Sequence, residues 1–176
     1  MYFDELDLED EVLDGLEAMN FFETTPVQEA TIPLLLERRD MIACAQTGTG
    51  KTAAYLLPII NRLSRGEGDP KKVNAVIMAP TRELAIQIER VAEPLAQSLG
   101  IGTVVIYGGA DIERQKEKLR RSPQLVIGTP GRLLDHVRRG TLALGSGNKV
   151  VLDEADEMLK MGFIEAVETL LGAVAQ

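Results

Sequence analysis

The sequence predicts an α/β fold in which a mostly parallel sheet carries helices on both faces, and three observations point to it. Short apolar runs that read as buried strands alternate with amphipathic stretches that read as helices, the pattern of crossover units around a parallel sheet. The unusual residues of the chain, glycine doublets, Lys-Thr, Pro-Thr-Arg and paired acids, all fall just past the carboxyl ends of those runs, where open α/β sheets place their ligands. The chain has 176 residues with 45% hydrophobic content spread along its length, enough for one domain with a substantial core and too little for two of ordinary size.

Taken in order, residues 2–19 carry Leu8, Val12, Leu13, Leu16 and Met19 at spacings of three and four, which predicts a helix with its acids near the start. Phe3 precedes that stripe without a periodic partner and reads as a hydrophobic cap. Thr25 can cap a helix that opens with Pro26, where the missing N–H costs nothing, and Gln28 falls in its first turn. Residues 41–45 form an apolar run ending in a glycine-rich turn, and Leu56, Leu57, Ile59, Ile60 and Leu63 continue the helix that follows, with Pro58 as a kink or a tolerated gap. A polar connection at 65–72 leads to the alternating part of the chain. Strands are predicted at 73–79, 103–107, 124–128 and 149–152. Helices are predicted at 81–99, 111–121, 130–139, 154–161 and 163–174.

Composition excludes several classes of function. The net charge is −8, with 27 acidic against 19 basic residues, so any attraction to nucleic acid must come from a local patch. No apolar run approaches the roughly 20 residues of a membrane helix, and the acidic start is unlike a signal peptide, which predicts a cytoplasmic protein. Cys44 is the single cysteine and reads as a small buried hydrophobe. His136 is the single histidine, which excludes a zinc cluster or a Ser/His/Asp triad; with Arg138 and Arg139 it reads as a solvated helix end. Met158 and Met161 read as core.

The turn after 41–45 is Ala45-Gln46-Thr47-Gly48-Thr49-Gly50-Lys51-Thr52. Gly48 and Gly50 permit positive φ and close backbone approach, so successive N–H groups can form a concave nest around phosphate oxygens. The helix starting near Gly50 adds its unpaired N–H groups and the positive end of its dipole. Lys51 would reach the outer phosphates of a nucleotide, and the Thr52 hydroxyl would ligate Mg²⁺. The apolar run at 149–152 then leads directly into Asp153-Glu154-Ala155-Asp156. Asp153 could hold the same Mg²⁺ through its water shell, and Glu154 could orient or deprotonate an attacking water. Acids at a helix start are also ordinary caps, so the pair gains meaning only from the phosphate loop upstream.

With these motifs in hand, the chain resembles the first RecA-like domain of a DEAD-box RNA helicase along essentially its whole length, 1–176. The resemblance rests on Phe3, the Gln28 region, the loop at 45–52, Pro80-Thr81-Arg82-Glu83-Leu84, Gly108-Gly109, Thr129-Pro130-Gly131-Arg132 and Asp153 to Asp156. It implies a P-loop nucleotide hydrolase fold that uses ATP and Mg²⁺, with Phe3 stacked on adenine and Gln28 reading its edge. The spacing from Phe3 to Asn20, where the family usually has Gly, supports that identification; Thr24 stands where the family usually has Pro. It also implies that Pro80, Thr81, Arg82, Gly108, Gly109, Thr129, Pro130, Gly131 and Arg132 face single-stranded RNA. Hydroxyls, glycine N–H groups and guanidiniums suit sugar–phosphate contacts without sequence preference. For Arg82 and Arg132 an internal pairing with Glu83, Asp156 or another carboxylate is the competing reading, and for Arg82 the two stand level.

The same resemblance places a Ser-Ala-Thr motif and a second RecA-like domain beyond Gln176, the latter supplying arginines to the ATP site. The expectation is therefore a nucleotide-binding piece of an ATP-dependent RNA helicase with little turnover of its own. Two other classes carry a similar loop: another ATPase such as a DNA translocase, and a noncatalytic interaction module with a vestigial site.

Overall fold

The computed structural model describes residues 2–5, 8–18, 51–66, 68–145 and 149–174, and of Phe3, Gly15, Ala18 and Lys51 it describes the backbone alone. A 3₁₀ turn, Phe3–Glu5, precedes α1 (Asp10–Ala18); then come α2 (Lys51–Ser64), β1 (Ala75–Met78), α3 (Arg82–Ser98), β2 (Thr103–Ile106) and α4 (Ile112–Arg120). The chain continues through β3 (Leu125–Gly128), α5 (Pro130–Arg138), β4 (Lys149–Leu152), α6 (Ala155–Lys160) and α7 (Ile164–Ala173). The helix expected at Pro26 and the strand at 41–45 lie outside the described residues.

The four described strands are parallel, in the order β2-β3-β1-β4. Side chains alternate between the faces as the pleat requires. Ala75, Ile77, Leu125, Ile127 and Val151 pack with α1, α2 and α3 through Val12, Leu56, Ile60, Ile88 and Leu95. Val76, Met78, Val104, Ile106 and Val126 pack on the other side with Leu119, Leu133, Met158 and Leu170 of α4 to α7. Both faces are thus covered, which is why the strands read as unbroken apolar runs.

The register matters most for function. Ile106, Gly128, Met78 and Leu152 form one row across the sheet, each the last residue of its strand. Pairing carries on one step past that row: Thr129 N–H donates to the Ile106 carbonyl at 3.0 Å, Ala79 N–H to Gly128 at 2.9 Å, and Asp153 N–H to Met78 at 2.9 Å. The residues singled out after 79, 107, 128 and 152 therefore emerge along one edge from a rigid base.

Three expectations needed correction. The helix across 2–19 is a 3₁₀ turn and then α1, because Glu9 N–H donates to the buried Asn61 Oδ1 of α2 at 2.6 Å and the α-helix starts only beyond that anchor. Met161 is not core but 47% exposed, since Gly162 takes φ +80° right after α6 and turns the chain away; Met158 is buried as expected. His136 is no solvated helix end: it is fully buried, held by the network described below. Pro58 does not interrupt α2.

Candidate nucleotide and RNA site

The nucleotide half of the site is built where α2 begins and β4 ends. Asp153 is buried, and its backbone is fixed to β1 through Met78. Its Oδ2 accepts a hydrogen bond of 2.6 Å from the hydroxyl of Tyr55, one turn into the helix that begins at Lys51. The Thr52 side chain is a polar neighbour of the same hydroxyl, so Thr52, Tyr55 and Asp153 lie in one neighbourhood. Burial above all, then the charge and hydrogen bond of Asp153, push the Tyr55 hydroxyl well above its ordinary range, with the Thr52 contact acting the other way. Tyr55 is thus a permanent donor at physiological pH. The two groups expected to share a magnesium shell, Thr52 and Asp153, are brought together.

Glu154 follows Asp153 with φ 53° and ψ 52°, a left-handed conformation that costs a residue with a Cβ on the order of 1–2 kcal/mol. It occupies the N-cap position of α6, yet its side chain makes no capping hydrogen bond. An acid kept as an ordinary cap would use an extended backbone and bond back to the helix, so the capping account does not explain this residue. The donor set here, a hydroxyl and a carboxylate, suits a hard cation such as Mg²⁺. Among the described residues no cluster of three or more His, Cys, Asp or Glu could enclose a metal, so such an ion would complete its shell with water and phosphate.

Along the same edge lie the residues expected to meet RNA. Thr81 caps α3, its Oγ1 accepting from Leu84 N–H at 3.1 Å. Arg82 is paired with no carboxylate at its cap; its guanidinium sits 4.7 Å from the ring centroid of Tyr107, an exposed cation over a π face. Gly108 and Gly109 are exposed, and Gly109 needs its φ of +83° to turn the chain toward α4. Thr129 precedes Pro130 at the start of α5 and makes no side-chain cap bond, so its hydroxyl is not used to cap the helix. Arg132 keeps an internal engagement: it donates to the Ala110 carbonyl at 3.0 Å and to Gln115 Oε1 at 3.1 Å, with Asp135 at 3.9 Å.

Gln115 is the hub of this half. Its Nε2 donates to the Tyr107 carbonyl at 2.9 Å, so its Oε1 faces Arg132 and, at 2.9 Å, His136 Nε2. The other ring nitrogen, Nδ1, lies 2.7 Å from the Thr141 hydroxyl. Burial, then the neighbouring Arg132, lower the His136 pKa, with Lys116 and Arg139 adding to this and Asp135 opposing it. The neutral ring ties α4, α5 and the Gly108-Gly109 turn into one plate. Tyr55, Gln115 and His136 escaped sequence reasoning because a polar residue within an apolar or charged helix stripe gives no periodic signal of what it meets across the sheet. The apolar surroundings of Tyr55, one turn after Lys51-Thr52, were the one available hint. Of the other expected residues, Gln28 and the loop from Ala45 to Gly50 lie outside the described residues, as do the side chains of Phe3 and Lys51. A separate cavity of about 300 Å³ opens toward the opposite end of the sheet, lined by Lys71, Lys72, Val73, Leu119 and Ser122 and by Thr141 of the His136 network.

Comparison with known proteins agrees with this geometry. The family model described as DEAD/DEAH box helicase matches residues 25–176. An ATP-dependent RNA helicase CshA of Listeria monocytogenes is 49% identical over 172 residues, 98% of this chain and 32% of that protein. A DEAD-box ATP-dependent RNA helicase CshA of Geobacillus kaustophilus is likewise 49% identical, over 98% of this chain and 36% of its own length. The crystal structure of a DEAD box protein from Methanococcus jannaschii superposes with a TM-score of 0.89 at 41% identity, covering 99% of this chain and 47% of that one. The chain spans about a third of the length of the curated relatives it matches.

Proposed function

Because the chain belongs to the DEAD/DEAH box helicase family, we propose that it is the N-terminal RecA-like domain of an ATP-dependent RNA helicase, binding adenine nucleotide and Mg²⁺ on one edge and single-stranded RNA backbone beside it. The observation that carries the reading is the join between α2 and β4: the helix that opens at Lys51-Thr52 is bonded through Tyr55 to Asp153 across the sheet. That bond supports reading the phosphate-loop lysine and the acidic strand end as parts of a single site.

In this reading Ala45, Gln46, Thr47, Gly48, Thr49 and Gly50 present backbone N–H groups to the phosphates. Lys51 neutralises the outer ones, while Gln28 and Phe3 hold adenine. Thr52 and Asp153 hold Mg²⁺, which when bound offsets the charge developing on the phosphates. Glu154, presented by its left-handed backbone beside Asp153, orients the attacking water and accepts its proton. Pro80 to Arg82, Gly108-Gly109 and Thr129 to Arg132 contact ribose and phosphate through N–H groups, hydroxyls and the Arg82 guanidinium. Arg132 acts mainly by bracing the turn, given its bonds to Ala110 and Gln115.

The second RecA-like domain is a partner in the same proposal: its arginines complete the transition-state cradle, and closure of the two domains bends one RNA strand out of a duplex. A cytoplasmic setting belongs to the proposal too; no described helix is long and apolar enough to cross a membrane. The test is equilibrium binding together with steady-state hydrolysis on this chain alone. ADP should bind and GDP compete weakly, while RNA-stimulated hydrolysis stays near background, since a missing arginine finger costs about 10³ to 10⁵ in rate. Strong RNA-stimulated turnover from the chain by itself, or equal affinity for GDP, would overturn the reading.

A further inference from the structure

The hydroxyl of Tyr55 is buried in an otherwise apolar stretch of α2, between Ala53, Ala54, Leu56 and Leu57, which all belong to the core. A tyrosine there brings a polar atom into a place that phenylalanine would fill equally well, and that atom is stable only with partners. Its hydrogen-bond partner is Asp153, 98 positions away in sequence and 2.6 Å away in space, and Thr52 on its own helix is a second polar neighbour. Those are the two residues assigned above to the magnesium shell. A bond of this kind consumes one direction of approach at Oδ2 and fixes the rotation of the carboxylate about its own axis.

We infer that Tyr55 is a positioning residue for magnesium-dependent nucleotide binding, holding the Asp153 carboxylate and the Thr52 hydroxyl at a fixed mutual orientation. The inference rests on the nucleotide reading proposed above and goes beyond it, because a site that needed only Thr52 and Asp153 would not require a buried hydroxyl between them. In this role Tyr55 acts through its two neighbours. Its contribution therefore belongs to the metal-dependent part of binding, while phosphate contacts made by the loop backbone are indifferent to it.

The experiment measures the dissociation constant of ADP for the chain and its Tyr55→Phe variant, each in excess Mg²⁺ and in excess EDTA. The ratio of the two constants isolates the part of affinity that depends on the metal. Losing one hydrogen bond to a charged group should reduce that ratio about ten- to a hundredfold in Tyr55→Phe, with the affinity in EDTA unchanged within about twofold. Equal weakening in both buffers would mean that the hydroxyl merely supports the fold, and an unchanged ratio would mean that Asp153 needs no such support; either overturns the inference and leaves the nucleotide reading in place. Absence of ADP binding by the unaltered chain in both buffers would instead overturn the nucleotide reading and this inference with it. A second measurement needs no substitution. With fluorotyrosine incorporated at the three tyrosines, the ¹⁹F resonance of Tyr55 should shift on adding Mg²⁺ to the ADP complex. A Tyr55 signal that moves with ADP in EDTA and not further with Mg²⁺ also overturns the inference.

Discussion

Glu154 shows how much one residue's backbone can say about its task. A left-handed glutamate persists only where the surroundings over-determine it, and here they do: Asp153 is tied to Met78 on one side and α6 starts on the other. Asparagine tolerates this conformation better, so Glu154→Asn should raise the unfolding free energy in chemical denaturation by about 1 kcal/mol. In a full-length helicase carrying this domain it should lower RNA-stimulated hydrolysis by about 10²- to 10⁴-fold. A destabilised Glu154→Asn would remove the argument from strain. His136 makes a second test at this scale. Its folded pKa lies below the unfolded value near 6.5 because burial and Arg132 disfavour the cation. Between those two values the unfolded chain binds the extra proton, so its contribution is complete above about pH 6.5 and is lost as pH falls, by at most about 1.4 kcal/mol per unit. The stability gap between the unaltered chain and His136→Asn should accordingly narrow from pH 7 to pH 5; a gap that widens would contradict the neutral, buried ring.

Between residue and domain stand the strand ends that lift the motifs into place. Gly128 ends β3 where a Cβ would lie 2.6 Å from the Ile106 carbonyl oxygen and 2.8 Å from Leu133 Cδ2. Backbone oxygen in a paired strand cannot retreat, so Gly128→Ala should cost about 1–3 kcal/mol and displace the start of α5 with its Thr129. Gln115→Leu should act on the neighbouring element. It strands the Tyr107 carbonyl and the His136 ring, at a cost of about 1–3 kcal/mol, and loosens the Gly108-Gly109 turn, so that RNA affinity falls while ADP affinity does not. Equal loss of both affinities would make Gln115 a general support of the fold.

The positions of the elements were legible because their signals are local. Apolar runs bounded by Gly, Pro and Thr placed all four described strands to within two residues, and Thr81, Asp111 and Pro130 marked helix starts. Asp153, Thr52, Thr81 and Arg132 were singled out as candidate site residues through motif order. What they bond to was not. The Tyr55–Asp153 contact, the Gln115 hub and the cation–π pair of Arg82 with Tyr107 are set by register between strands distant in sequence, and register leaves no mark on any single stretch of chain. The contact that Arg82 makes, with an aromatic face just past β2, was likewise not legible.

At the scale of the whole molecule the net charge of −8 and the small number of described cations at the site edge constrain how RNA would be held in the proposed function. Of the two arginines in the RNA motifs, Arg132 is engaged internally and Arg82 is exposed. Neutralising one or two phosphates gives a dependence of log K on log salt of only about −0.7 to −1.4 for single strands. A titration of the chain with single-stranded RNA across salt concentrations should yield so shallow a slope. A slope several times steeper would mean that a basic surface elsewhere is the true contact.

The central claim is that the start of α2 and the end of β4 form one nucleotide pocket, and a crystal structure of this chain grown with ADP and Mg²⁺ tests it most directly. The account predicts diphosphate density over the N-terminus of α2, with the metal between the Thr52 hydroxyl and the Asp153 carboxylate and Tyr55 still bonded to Asp153. Nucleotide bound at the far end of the sheet, in the cavity beside Lys71 and Lys72, with no metal near Asp153, would contradict it.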